Sequence, residues 1–137
     1  MTLREQLIRD EGGFQSKPYL DSVGALTIGY GRNLRDVGIS EAEAAFMLDN
    51  DLGAAAGDVD RAVPWARGLD EVRRAVLVNM RFNMGLGGLL GFRKMLDAAE
   101  AGDWQRAAAE MLDSRWARQV GDRAQRLARQ MTTGEWA

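Results

Sequence analysis

A chain of 137 residues, 46% hydrophobic and 28% charged, fits one domain, or two small lobes sharing a core, and can fold unaided. It contains no His and no Cys, which excludes Ser-His and Cys-His nucleophile pairs and the ligands of most zinc sites. A formal net charge of −2 gives no global pull toward nucleic acid, so any chemistry must run on carboxylates, hydroxyls and bound water.

Apolar runs such as Ala75-Val-Leu-Val78 are far too short to cross a bilayer, so no membrane insertion is expected. Met1-Thr-Leu-Arg4-Glu5 lacks a basic start followed by an apolar stretch, and no secretory signal is expected either.

Thr2-Leu-Arg-Glu5 is a capping-box pattern. Leu3, Leu7 and Ile8 recur at helical spacing, and Gly12-Gly13 stops the helix. Glu11 therefore falls in its last turn. Lys17-Pro18 and Ser22-Val-Gly24 punctuate a short β region. There Leu26, Ile28 and Tyr30 alternate with Ala25, Thr27, Gly29 and Gly31. One strand face is bulky; the other is nearly bare apart from the Thr27 hydroxyl.

Ser40-Glu-Ala-Glu43 is a second capping box, opening a helix expected to bury Phe46, Leu48, Leu52, Ala55 or Ala56, Val59 and Val63 before Pro64 closes it. Asp70 caps a third helix over Val72 to Met84, apolar on most faces. Gly85, Gly87, Gly88 and Gly91 should break the chain before a helix near Phe92 to Ala101. Another helix starts at Gly102-Asp103, with Trp104, Ala107, Ala108, Met111 and Leu112 inward. A last one runs from about Asp122 to Met131. Arg115, Arg118, Arg123, Arg126 and Arg129 form a basic stretch, expected to be a solvated helix face. Asp49-Asn-Asp51-Leu-Gly53 is no calcium loop, because Ala54 stands where the loop needs Gly.

Hydrolysing an acetal needs a proton for the leaving oxygen and a nucleophile at the anomeric carbon. Glu11 suits the proton-donating role, because a helix C-terminus and partial burial both favour a protonated carboxyl. Asp21, just before a turn, should stay solvated and ionised. Read singly, each residue has a plainer meaning. Glu11 can be a surface carboxylate at a frayed helix end, Asp21 a turn-former and Thr27 a strand residue.

Glu11-Gly12, Tyr19-Leu-Asp21 and Leu26-Thr-Ile-Gly-Tyr-Gly31 together resemble the catalytic segment of the phage lysozymes of glycoside hydrolase family 24. Asp70-Glu-Val-Arg-Arg74, Asn79-Met-Arg-Phe-Asn-Met-Gly85, Gly91-Phe92, Ser114-Arg-Trp116, Asp122-Arg-Ala124 and Thr133-Gly-Glu-Trp136 follow that family's order and spacing. The likeness covers residues 1–34 and 69–137, with a looser helix match between.

The resemblance implies an α+β, mainly α, two-lobed lysozyme-like fold in a single domain over 1–137. A small lobe with the sheet would span 12–63, a helical lobe 1–11 and 64–137, and the active cleft would lie between them. It implies an N-acetylmuramidase that cuts the β-1,4 bond between N-acetylmuramic acid and N-acetylglucosamine with inversion. Glu11 would be the acid, and Asp21 and Thr27 would position and activate water. Inverting sites hold their carboxyls roughly 6.5–9.5 Å apart so that water fits between. Gly29 and Gly31 would leave space for sugar and water.

Phe82 and Arg123 match family positions lining the saccharide cleft and approaching the catalytic Glu; the alternative for Phe82 is core packing. Asn33 stands where an apolar, substrate-touching residue is expected. Arg32 replaces the family's usual His, so a His–Asp surface pair with Asp51 cannot form. Only Arg35-Asp-Val-Gly38 separates strand region from second helix, a trimmed loop. No metal or cofactor is implied. The partner would be peptidoglycan, met by a monomer that gathers in a host cytoplasm and reaches the wall through holin pores during host-cell lysis. Other readings are a lytic transglycosylase, a non-catalytic wall-binding or virion structural module, and a helical nucleic-acid-binding domain, the last disfavoured by overall charge.

Overall fold

Thr2 starts the first helix as its spacing with Glu5 predicts. In the computed structural model, which describes residues 1–137, Thr2 Oγ1 accepts the Glu5 N–H at 3.1 Å and Thr2 N–H donates to Glu5 Oε2 at 2.7 Å. Helix α1 covers Leu3–Asp10 and ends at Glu11, whose N–H donates to Leu7 O. Gly12 and Gly13 then turn the chain with φ of +81° and +84°, values that favour glycine.

Strands β1 (Gln15–Leu20), β2 (Leu26–Gly29) and β3 (Arg32–Asn33) form an antiparallel sheet in that order. Tyr19 pairs with Thr27, Leu20 with Leu26, and Thr27 also with Asn33. Contrary to the punctuation expected at Lys17-Pro18, β1 runs through Pro18. Its pairing is irregular between Gln15 and Tyr19, and an edge strand tolerates a residue with no N–H there. Ala25 and Thr27 are the buried residues of this stretch, at 2% and 3% exposure, while Leu26 and Tyr30 are exposed. The expectation of a bare open face is thus not met at Ala25 and Thr27, which are buried, while Leu26 and Tyr30 are exposed and Ile28 is half-buried.

Helix α2 (Glu41–Ala62) opens with the second capping box: Ser40 Oγ accepts the Glu43 N–H, and Ser40 N–H donates to Glu43 Oε1. The chain divides into two compact units, Met1–Met47 and Leu48–Ala137, with α2 shared between them. Helix α1 falls in the same unit as the sheet; Glu11 at its end lies against Gly31, and just beyond it the Phe14 and Tyr30 rings meet tilted, 5.8 Å apart.

The second unit holds the core. Ala55, Val59 and Val63 are buried as expected, but Phe46, Leu48 and Leu52 are exposed. The reason is local: Phe46 lines an open recess with Ile28, Val37 and Ile39 in the first unit, and Leu48 and Leu52 border another in the second. A 3-10 turn at Pro64–Gly68 leads to α3 (Glu71–Leu90), where Asp70 Oδ2 accepts the Arg73 N–H. Gly85 does interrupt regular geometry, with φ +81° and ψ 167°, but helix resumes and runs on to Leu90. Then come α4 (Arg93–Glu100), α5 (Trp104–Leu112), α6 (Arg115–Val120) and α7 (Asp122–Thr133). The mainly helical α+β arrangement with a small N-terminal sheet is the expected one.

Leu77, Met80, Leu89, Met95, Met111 and Met131 are fully buried, interleaved with Ala98, Ala99, Ala107 and Ala124. Alanines let the helices approach, and unbranched methionines fill the irregular gaps. Each large side chain contributes roughly 1.5–3 kcal/mol through its burial. Arg73 ties α3 to α7: Nε donates to Met131 O at 2.7 Å and Nη2 to Thr132 O at 3.0 Å, while its guanidinium lies 4.1 Å over the Trp104 ring. Asp58 and Asp60 on α2 hold Arg81 and Arg74 on α3. The Arg81 hydrogen bond keeps the Asp58 carboxyl below its ordinary pKa.

Candidate active site

Glu11, Asp21 and Thr27 all lie in the first unit, on a helix end, a β-turn and a strand. Asp21 builds its own surroundings. Its Oδ1 accepts the N–H of Val23 at 3.0 Å and of Ala25 at 2.8 Å, closing the turn between β1 and β2. Oδ2 makes no hydrogen bond within the protein, and the residue is half-buried. The turn-forming role and an open carboxylate oxygen coexist on one side chain.

Thr27 is joined to that turn. Its Oγ1 donates to Ala25 O at 2.8 Å, the same carbonyl that accepts the Asp21 N–H at 3.0 Å. With its proton committed to Ala25, the buried Thr27 hydroxyl has only lone pairs left to offer and serves as an acceptor. An acceptor hydroxyl and a carboxylate oxygen, fixed through one intervening residue, can orient a water molecule.

Glu11 caps the C-terminal end of α1 and is exposed as a residue, so the partial burial expected for it is not found. Its carboxyl nonetheless has a defined neighbour. A Cβ built on Gly31 would lie 2.6 Å from Glu11 Cδ and Oε2 and 2.8 Å from Cγ. The space expected at Gly31 for sugar and water is therefore filled by Glu11 itself, whereas Gly29 has nothing within 4 Å of its ideal Cβ.

Asn33 closes the trimmed loop. Its Nδ2 donates to Asp36 Oδ2 at 3.0 Å, its Oδ1 accepts the Asp36 N–H at 2.9 Å, and its carbonyl accepts from Val37 and Gly38. Beside it, Arg32 Nη1 and Nη2 each meet a Glu43 carboxylate oxygen at 2.7 Å, and Nη1 also donates to Gly38 O. In place of the His–Asp pair that Arg32 rules out, this chain has a bidentate Arg–carboxylate pair anchored on the α2 capping box. That contact, with help from Ser40, pulls the Glu43 carboxyl down to about 2 from an ordinary 4.5. Sequence reading does not foresee this pair, because a strand residue and a helix residue 11 positions apart carry no shared spacing signal.

Phe82 and Arg123 belong to the second unit. They line a recess with Leu48, Leu52, Val78 and Trp136, and Phe82 is 40% exposed rather than core. Arg123 Nε and Nη2 donate to Asn79 Oδ1 at 3.0 and 2.7 Å. Arg115, Arg118, Arg126 and Arg129 are exposed, as expected of a solvated face. No group of three or more acidic side chains converges closely enough to hold a metal ion.

A model of the phage lysozyme family matches residues 9–132. The chain is 32% identical over 162 aligned positions to the pre-baseplate central spike protein Gp5 of Enterobacteria phage T4, covering 98% of this chain and 28% of that protein. It is 29% identical over 99 positions to probable T4-type lysozyme 1 of Dictyostelium discoideum, covering 70% of this chain and 58% of the relative. With probable T4-type lysozyme 2 of the same organism, identity is 25% and coverage 97% and 95%. The chain therefore spans less than two thirds of the length of the first two relatives.

Proposed function

Because this chain belongs to the phage lysozyme family, with a lysozyme-like function, we propose that it hydrolyses the β-1,4 bond between N-acetylmuramic acid and N-acetylglucosamine in peptidoglycan, with inversion. Glu11 protonates the leaving oxygen. The free Asp21 oxygen and the Thr27 hydroxyl hold and activate the attacking water. The observation that carries this reading is the Asp21–Ala25–Thr27 arrangement, which joins a half-buried carboxylate with one unbonded oxygen to a buried acceptor hydroxyl through a single residue. A transglycosylase, in which the sugar's own hydroxyl attacks, needs no such pair.

Phe82 and Arg123 are proposed as substrate contacts on the second unit. Asn33 acts on substrate chiefly by shaping the loop it closes. The enzyme works as a monomer, without metal or cofactor. It gathers in a host cytoplasm and reaches the wall through pores made by another protein.

One observation favours a second reading. Nearly the whole chain aligns with part of a phage central spike protein, so the same fold can serve as a module of a virion, with or without catalysis. Digestion of purified peptidoglycan separates these readings. Hydrolysis with inversion releases reducing N-acetylmuramic acid that is initially α, visible by NMR before mutarotation. A 1,6-anhydro product would mean transglycosylation, and no solubilisation would mean a structural module.

A further inference from the structure

We infer that Gly31 is the seat of the catalytic acid, a positioning residue that fixes where the Glu11 carboxyl stands. This rests on the reading of Glu11 as the proton donor. Two features single Gly31 out. Its φ of +78° suits glycine, and the volume where a Cβ would sit is occupied by Glu11 Cγ, Cδ and Oε2. Of the other glycines with positive φ, none would place a Cβ against a carboxylate: Gly12, Gly13, Gly24, Gly29, Gly85 and Gly121 meet nothing within 4 Å.

The physical consequence is directional. Glu11 has no side-chain hydrogen-bond or ion-pair partner in the protein, and its carboxyl stands where a Gly31 side chain would be. An alanine there would need the carboxyl to retreat by roughly an ångström to reach ordinary contact at 3.4 Å. The end of an exposed glutamate is flexible, so it moves and the fold survives. A displacement of that size at a reacting group lowers turnover by about a hundredfold. Substrate binding, which does not depend on the acid's exact position, is left in place.

The test compares Gly31→Ala with Gly102→Ala, using peptidoglycan fragments and thermal unfolding. Gly102 has φ +76°, belongs to the second unit, and its added Cβ would meet only Trp104 at 3.8 Å. Both variants place an alanine at a similar positive φ, and they should lose similar stability. Gly31→Ala should lower kcat by about a hundredfold with KM within about threefold, while Gly102→Ala keeps kcat. Three results overturn the assignment: unchanged kcat in Gly31→Ala, a raised KM with kcat preserved, or a Gly31→Ala chain that does not fold while Gly102→Ala does. Glu11→Gln run alongside keeps the two claims apart. If it remains active, the reading of Glu11 as acid fails; if it is inactive while Gly31→Ala keeps its turnover, only the seat fails.

Discussion

Asp21 and Thr27 are held by the two ends of a single residue, Ala25. Its N–H donates to Asp21 Oδ1 and its carbonyl accepts the Thr27 hydroxyl, each at 2.8 Å. Ala25 is 2% exposed, so both polar side chains are tied to a buried residue. Thr27→Val should lower turnover by about a hundredfold, the effect of losing one water-orienting group. Stability should fall by only about 1 kcal/mol, since Ala25 O keeps the Asp21 N–H as a partner. Thr27→Ser should retain most activity. Kinetics and denaturant titration on the same preparations check both halves.

Asp21→Asn separates charge from turn. The amide oxygen can still accept from Val23 and Ala25, so the β1–β2 turn and the unfolding midpoint should be preserved. The anionic oxygen is gone, and turnover should fall by a factor of about 10² or more. Circular dichroism melts beside wall-lysis rates decide this; a large drop in stability would mean the carboxylate serves the turn in a way an amide cannot.

Arg32 and Glu43 give stability a predictable pH dependence. The folded-state Glu43 carboxyl lies at about 2, below its ordinary 4.5, chiefly through its hydrogen bond from Arg32. A depressed carboxylate contributes stability that is fully present above about 4.5 and is lost as pH falls toward 2. Arg32→Gln should therefore be less stable than the parent at pH 7, and the difference should shrink steadily between pH 4.5 and 2. Because both side chains are partly exposed, added salt should also narrow the gap. A difference independent of pH would show that Arg32 acts by packing.

Much of this was legible from local chemistry. Thr2/Glu5, Ser40/Glu43, Asp70 and Asp103 each mark a helix start within three or four residues, and each forms the cap its spacing predicts. What failed was decided at longer range. Which side of β2 is covered depends on what packs there, and the alternation of Leu26, Ile28 and Tyr30 cannot reveal that Leu26 and Tyr30 are exposed while Thr27 is buried. Helix α6 escapes sequence reading because six residues give too few turns for periodicity, although Ser114 caps it by accepting the Ala117 N–H. At the site, residue identities came from a resemblance. The Ala25 link and the Gly31 seat are backbone relationships that no side-chain motif encodes.

Trp116 anchors the helical core. It is 7% exposed, meets Phe92 edge-on at 5.9 Å, and donates Nε1–H to Asn83 Oδ1 at 2.7 Å. Trp116→Ala should cost about 3–5 kcal/mol through lost burial and the cavity left behind. Trp116→Phe should cost only about 1–2 kcal/mol, because exposed Asn83 can turn to water. Urea unfolding of both variants measures the difference.

The most direct measurement is the rate at which Glu11→Gln solubilises purified peptidoglycan, set beside the parent at equal folded concentration. The substitution keeps size and shape, and Glu11 makes no hydrogen bond that the fold would miss. It should melt with the parent and turn over slower by a factor of about 10² to 10⁴, the usual contribution of a general acid. A Glu11→Gln enzyme that clears the wall at the parental rate would contradict the account.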